Sequence, residues 1–85
     1  MSELPVRVMV EDAWDQVVLA LPPATTVAEL KQRALSLTHR RNRPEEYLVK
    51  FRGAEVFDEQ RSLAESGVVA NATLIVLPRH RRPVR

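Results

Sequence analysis

The chain has 85 residues, 45% hydrophobic and 28% charged, with a formal charge of +2; this is the length of one domain and too apolar a composition for a wholly disordered chain. No apolar run approaches the roughly 18–20 residues that cross a bilayer, and the N-terminal stretch MSELPVRVMVEDAWDQ lacks the basic and continuous apolar regions of a secretory signal, so a cytoplasmic protein is expected. The absence of cysteine excludes disulfides, thiolate metal sites and thiol catalysis.

Val6, Val8 and Val10 alternate with Arg7, Met9 and Glu11, the period of a half-buried strand. Residues 12–15 read as a turn, and Val17, Leu19 and Leu21 resume the alternation, which predicts a hairpin with a loop of four or five residues. Pro22-Pro23 stops the second strand. Thr26 and Glu29 have the spacing of a capping box, and Val27, Leu30, Ala34 and Leu37 follow on one face of a helix over about 27–38. Tyr47, Val49 and Phe51 predict a third strand with its core side on those residues, and Gly53 a turn after it. Residues 55–57 make at most a short strand. Residues 61–67 suit one tight helical turn closed by Gly67. Residues 73–77 form a last strand, with Leu74 and Val76 facing one way and Thr73, Ile75 and Leu77 the other, and Pro78 ends it. A hairpin, a helix across it and further strands make an α+β layout.

Charge is unevenly placed. Residues 79–85 carry four arginines and no acid, so residues 1–78 hold a net −2. Arg40, Arg41 and Arg43 make a second basic cluster, and with Arg79, Arg81, Arg82 and Arg85 they form a candidate polyanion-binding surface. Three readings of the tail stand: a solvated, disordered segment, a contact for an acidic protein or anionic membrane surface, or a nucleic-acid contact. Nucleic acid is the least expected, because no aromatic side chains form a base-stacking platform on the sheet surface. No catalytic constellation is legible. His39 and His80 have no orienting carboxylate nearby in sequence, Ser62 reads as a cap, and the two glycines form no phosphate loop. Neither enzyme activity nor a cofactor nor a metal is expected.

The order and punctuation of these elements resemble the ubiquitin-like β-grasp superfamily over about residues 5–78. The resemblance is carried by Lys50-Phe51-Arg52-Gly53-Ala54-Glu55-Val56-Phe57, by Arg61-Ser62-Leu63-Ala64-Glu65-Ser66-Gly67-Val68 and by Ala72-Thr73-Leu74-Ile75-Val76-Leu77, with Thr26-Val27 and Leu30-Lys31 matching the helix start. It implies a mixed sheet of four or five strands with one helix packed across it and the last strand central beside the first. It also implies that Leu63 and Val68 plug the open end of the core. The domains expected are a β-grasp over 1–78 and a basic tail over 79–85. Conjugated members of the superfamily and its sulfur carriers end in Gly-Gly; no Gly-Gly occurs here, which argues against a covalent modifier, although a modifier of a bacterial pathway remains an alternative. Small stand-alone proteins of this layout also include accessory proteins of bacterial type VII secretion.

The resemblance further implies a recognition face on the side of the sheet away from the helix. Lys50 falls where that face normally has its central aliphatic residue, Leu77 falls on an aliphatic position, and Ile75 on its polar neighbour. Alternation adds Met9 and Leu48, and Trp14 lies in the hairpin turn at the rim. A monomer is expected whose protein partner offers an acidic residue in an apolar surround.

Overall fold

The computed structural model describes residues 3–38 and 43–79. Strand β1 (Leu4–Val10) runs into one turn of 3-10 helix over Glu11–Ala13, and β2 (Asp15–Leu21) returns antiparallel to it. The loop thus has the expected length, but Asp15, read as part of the turn, already pairs with Val10. Helix α1 (Val27–Leu37) follows, then β3 (Tyr47–Phe51), β4 (Ala54–Glu55) and β5 (Thr73–Pro78). The five strands lie in the order β2-β1-β5-β3-β4, and β5 is parallel to β1 and antiparallel to β3. The last strand is therefore central beside the first.

The β3–β4 connection is a two-residue turn with positive φ at both Arg52 (57°) and Gly53 (79°), the geometry whose twist matches paired strands. It sets Ala54 directly opposite Phe51, so β4 begins one residue earlier than expected and ends before Phe57, which is left 83% exposed.

The helix covers one sheet face, where Val6, Val8, Val10, Val49, Leu74 and Val76 are fully buried. Its buried positions are Val27, Leu30, Lys31, Ala34 and Leu35, whereas Leu37, expected in the stripe, is 55% exposed. At about 100° per residue the buried arc runs from Leu30 round to Leu35, and Leu37 falls just past its edge in the last turn. Lys31 lies inside the arc, where a positional reading by hydrophobicity does not look for it.

Segment 58–68 closes the end of the core at the helix N-terminus. Thr26 caps the helix by accepting from the Glu29 N–H at 3.1 Å; Glu29 itself is exposed. The Val27 and Ala28 N–H groups donate to the Arg61 and Glu59 carbonyls at 3.0 and 2.8 Å, so the free donors of the first turn are satisfied. Ser62 and Glu65 form the reciprocal capping box: the Glu65 N–H donates to Ser62 Oγ and the Ser62 N–H to Glu65 Oε1. Gly67, at φ 86°, reverses the chain. Leu63 and Val68 are buried, as the plug requires.

Lys31 ties the same segment from inside. It is 3% exposed; its Nζ donates to the Tyr47 carbonyl at 2.9 Å and pairs with Glu59 Oε1 at 2.7 Å. The other carboxylate oxygen, Oε2, is buried with no partner among the described residues. Desolvation therefore offsets much of the attraction, and the pair selects one position for the segment more than it adds stability. Accordingly, Glu59→Ala, which strands the buried ammonium, should cost about 3 kcal/mol in urea unfolding, whereas replacing both partners, Lys31→Met with Glu59→Leu, should change stability by no more than about 1 kcal/mol or raise it.

Candidate interaction face

The face of the sheet away from the helix is built by the strand registers. Met9 of β1 lies opposite Ile75 of β5, Ile75 opposite Lys50 of β3, and Lys50 opposite Glu55 of β4. Gln16 of β2 extends this row beyond Met9. Leu77 and Leu48 form the next row, directly paired. Side chains alternate along each strand, so these positions share one face, while their neighbours Val10, Val49 and Val76 are buried on the other. Met9 is 40% exposed, Ile75, Leu77 and Leu48 are half-buried and Lys50 is exposed. The residues chosen from sequence thus come together around one lysine. Among the described residues no carboxylate pairs with Lys50; Glu55, its cross-strand neighbour, instead meets Arg79 Nη1 at 3.4 Å.

Trp14 sits at the end of the hairpin and is 93% exposed. Its backbone is left-handed, φ 53° and ψ 38°, held by a hydrogen bond from its N–H to the Glu11 carbonyl at 3.1 Å. With Met9, Glu11, Asp15 and Gln16 it borders a shallow recess of about 240 Å³, which joins it to the Met9 end of the row. The hairpin end is anchored from below: the hydroxyl of the fully buried Tyr47 donates to Asp12 Oδ2 at 2.6 Å. Tyr47 thus serves the core, as expected, and also braces the Trp14 loop. Phe51 is half-buried against the core on the same side.

Sequence reading missed Val18, which is 66% exposed beside Arg7 on this face. The alternation of Val17 and Leu19 carried the signal, since the residue between two inward positions must point out. Phe57 had no such signal, because its exposure follows from where β4 ends.

Of the basic residues, Arg40, Arg41, Arg81, Arg82 and Arg85 lie outside the described residues, as do His39 and His80. Arg43 is exposed, and its carbonyl accepts from the Glu46 N–H at 2.9 Å across the 3-10 turn Pro44–Glu46. Arg79, counted with the tail in the sequence, is bound to the domain. Its N–H donates to the Glu46 carbonyl at 2.8 Å, and its Nε to the Glu45 carbonyl at 3.0 Å. Among the described residues no three His, Asp or Glu side chains come together as a metal site. No described helix is long and apolar enough to cross a membrane.

A hairpin, one crossing helix and a central parallel pair of first and last strands leave one match. The fold is the ubiquitin-like β-grasp. The chain is similar to the ubiquitin-like domain of an Arabidopsis thaliana protein, at TM-score 0.79 and 18% identity over 100% of this chain and 86% of that one. It is similar to Caldiarchaeum subterraneum ubiquitin at TM-score 0.78 and 12% identity, over 95% of this chain and 99% of that one. A protein designed de novo on ubiquitin aligns at TM-score 0.79 and 19% identity, over 99% and 98% of the two chains. No sequence-family model matches the chain, and no curated protein is significantly similar in sequence. At these identities the shared property is the fold; function rests on the face itself.

The geometry of Trp14 sets a clear expectation. A left-handed backbone costs a non-glycine residue about 1 kcal/mol, and a side chain this exposed recovers little of it within the fold. Trp14→Gly should be neutral or stabilising by up to about 1 kcal/mol in thermal unfolding. Trp14 is the only tryptophan, so native emission should lie near that of indole in water and shift little on unfolding.

Proposed function

We propose that this chain is a non-catalytic, cytoplasmic ubiquitin-like protein that binds a protein partner non-covalently through Met9, Leu48, Lys50, Ile75 and Leu77, with Trp14 at the rim. The observation that carries this reading is the cluster of Met9, Ile75, Leu77 and Leu48 around an exposed Lys50 that pairs with no carboxylate among the described residues. Contiguous apolar groups on one face of a small domain mark an interaction site more than scattered ones do. Trp14 supports it, because an exposed indole held in a left-handed turn contributes little to the fold, and tryptophan is enriched where binding energy concentrates. The partner would set an acidic side chain against Lys50 within an apolar surround. The two glycines of this sequence, Gly53 and Gly67, are not adjacent, which favours non-covalent binding over attachment through a diglycine. The resemblance to small type VII secretion accessory proteins makes a subunit of a bacterial secretion machine the first partner to try.

A second reading is favoured by one observation. Arg43 and Arg79 are both bonded to the Pro44–Glu46 turn, so the last residue of one basic cluster and the first of the other meet at one corner. A polyanion contact there would be weak and salt-sensitive.

Affinity capture separates the two. Leu77→Asp and Lys50→Glu, both on the outer face, should retain the native amide spectrum and lose the captured protein, with at least about a tenfold loss of affinity. Truncation after Arg79 should leave that capture intact. A nucleic acid retained by wild type, and lost with the truncation and with added salt, would replace the sheet-face reading with the polyanion one.

A further inference from the structure

Strand β2 lies at one side of the sheet and, among the described strands, pairs only with β1. In β1, the Arg7 N–H donates to the Ala72 carbonyl and the Pro5 carbonyl accepts from the Asn71 N–H. Odd-numbered residues of β1 thus turn their backbone groups toward β5, and even-numbered ones toward β2. The even residues Leu4, Val6, Val8 and Val10 stand opposite Leu21, Leu19, Val17 and Asp15. Gln16, Val18 and Ala20 therefore aim their N–H and C=O groups at the open side. The Gln16 N–H is taken by Asp15 Oδ1 at 2.8 Å, and no described residue bonds to Val18 or Ala20 from that side.

Natural sheets blunt such an edge with charge, proline or a bulge. Residues 16–21 of β2, QVVLAL, carry none of these. The apolar surface also continues on both sides of the strand. Val18 is 66% exposed on the outer face, and on the helix side the 55%-exposed Leu37 borders a recess of about 270 Å³ with Leu19, Arg33 and Ser36.

The strand is complementary to itself. Antiparallel pairing about a two-fold axis at Val18 sets Val18 against Val18 and Gln16 against Ala20, and these are the residues whose backbone groups face the open side, the Gln16 N–H having to exchange Asp15 Oδ1 for the second copy. No like charges meet along the edge. Asp15, on the helix side because its register partner is the core residue Val10, falls opposite Leu21 of the second copy. Leu21 is next on that face to Leu19, which borders the recess with Arg33, so Asp15 stands one residue pair from the recess of the second copy, and the symmetry repeats the approach.

We propose that two copies of this chain pair β2 to β2 about a two-fold axis at Val18, forming one continuous sheet with both interaction faces on the same side. The dimer departs from the monomer expected on sequence, and it does not depend on the partner-binding reading. Its consequence is bivalence: a partner with two sites would gain affinity without any new contact.

Sedimentation equilibrium of the full chain from micromolar to millimolar concentration tests this. The mass should rise toward twice 9.7 kDa, and the Val18 and Ala20 amides should become protected from hydrogen exchange over the same range. Val18→Lys opposes two ammonium groups across the axis at an exposed position. It should keep the native circular dichroism and raise the dissociation constant about tenfold or more. Asp15→Arg and Arg33→Asp should each weaken the dimer, and together restore it. A wild type that stays monomeric at every concentration overturns the proposal, as does a dimer that Val18→Lys leaves intact. Protection of Val18 and Ala20 only when another protein is added would assign the edge to a foreign strand and overturn the dimer as well.

Discussion

The parallel pairing of β1 with β5 holds the rest of the molecule in place. It joins the two ends of the described chain at the centre of the sheet, with Val8 beside Leu74 and Val10 beside Val76, all fully buried. The other strands build outward from this pair, β2 on one flank and β3, then β4, on the other. Parallel strands need a long crossover, and here the connection contains the helix, β3, β4 and the plug. The entropy of closing so long a loop is offset only when the helix and the plug settle over the shared apolar face. The core and the central pair therefore depend on each other, as expected of a small domain with one cooperative transition.

The plug segment shows how polar groups position an apolar lid. Leu63 supplies the burial, but backbone bonds from Val27 and Ala28 to Arg61 and Glu59, with the Lys31–Glu59 pair beneath them, set where Leu63 lands. The bonds perform two tasks at once, satisfying the donors of the helix N-terminus and fixing the segment. Tyr47 has a similar double role. Its carbonyl accepts from Lys31 and its hydroxyl donates to Asp12, so one buried residue connects the helix to the hairpin end that carries Trp14.

The surfaces left over divide into a face and an edge. The face owes its composition to the centre of the sheet, because Met9, Ile75 and Leu77 are the outward residues of the strands whose inward residues are core. The edge owes its exposure to topology, since β2 is first in the sheet order and, among the described residues, no strand pairs with it beyond β1. A partner on the face and a second copy on the edge use different atoms. Both could be occupied together.

The sequence by itself determined the elements and most of the face. Strict alternation in β1, β3 and β5 reports which side of a sheet each residue takes, because the side-chain period of a strand is two; Met9, Leu48, Lys50, Ile75 and Leu77 were legible on that ground together with the family resemblance. The capping residues Thr26, Ser62 and Gly67 were legible because their chemistry is local. Tertiary structure alone decided the burial of Lys31, the exposure of Leu37 and Phe57, and the attachment of Arg79 to the Pro44–Glu46 turn. Each depends on a partner distant in sequence. Lys31 is buried because Glu59 and the Tyr47 carbonyl meet it, and Leu37 is exposed because the sheet and the segments packed on the helix cover only the arc from Leu30 to Leu35. Local pattern carries the periodicity of a segment but not the segment that will stand against it, and charge burial is set by the latter.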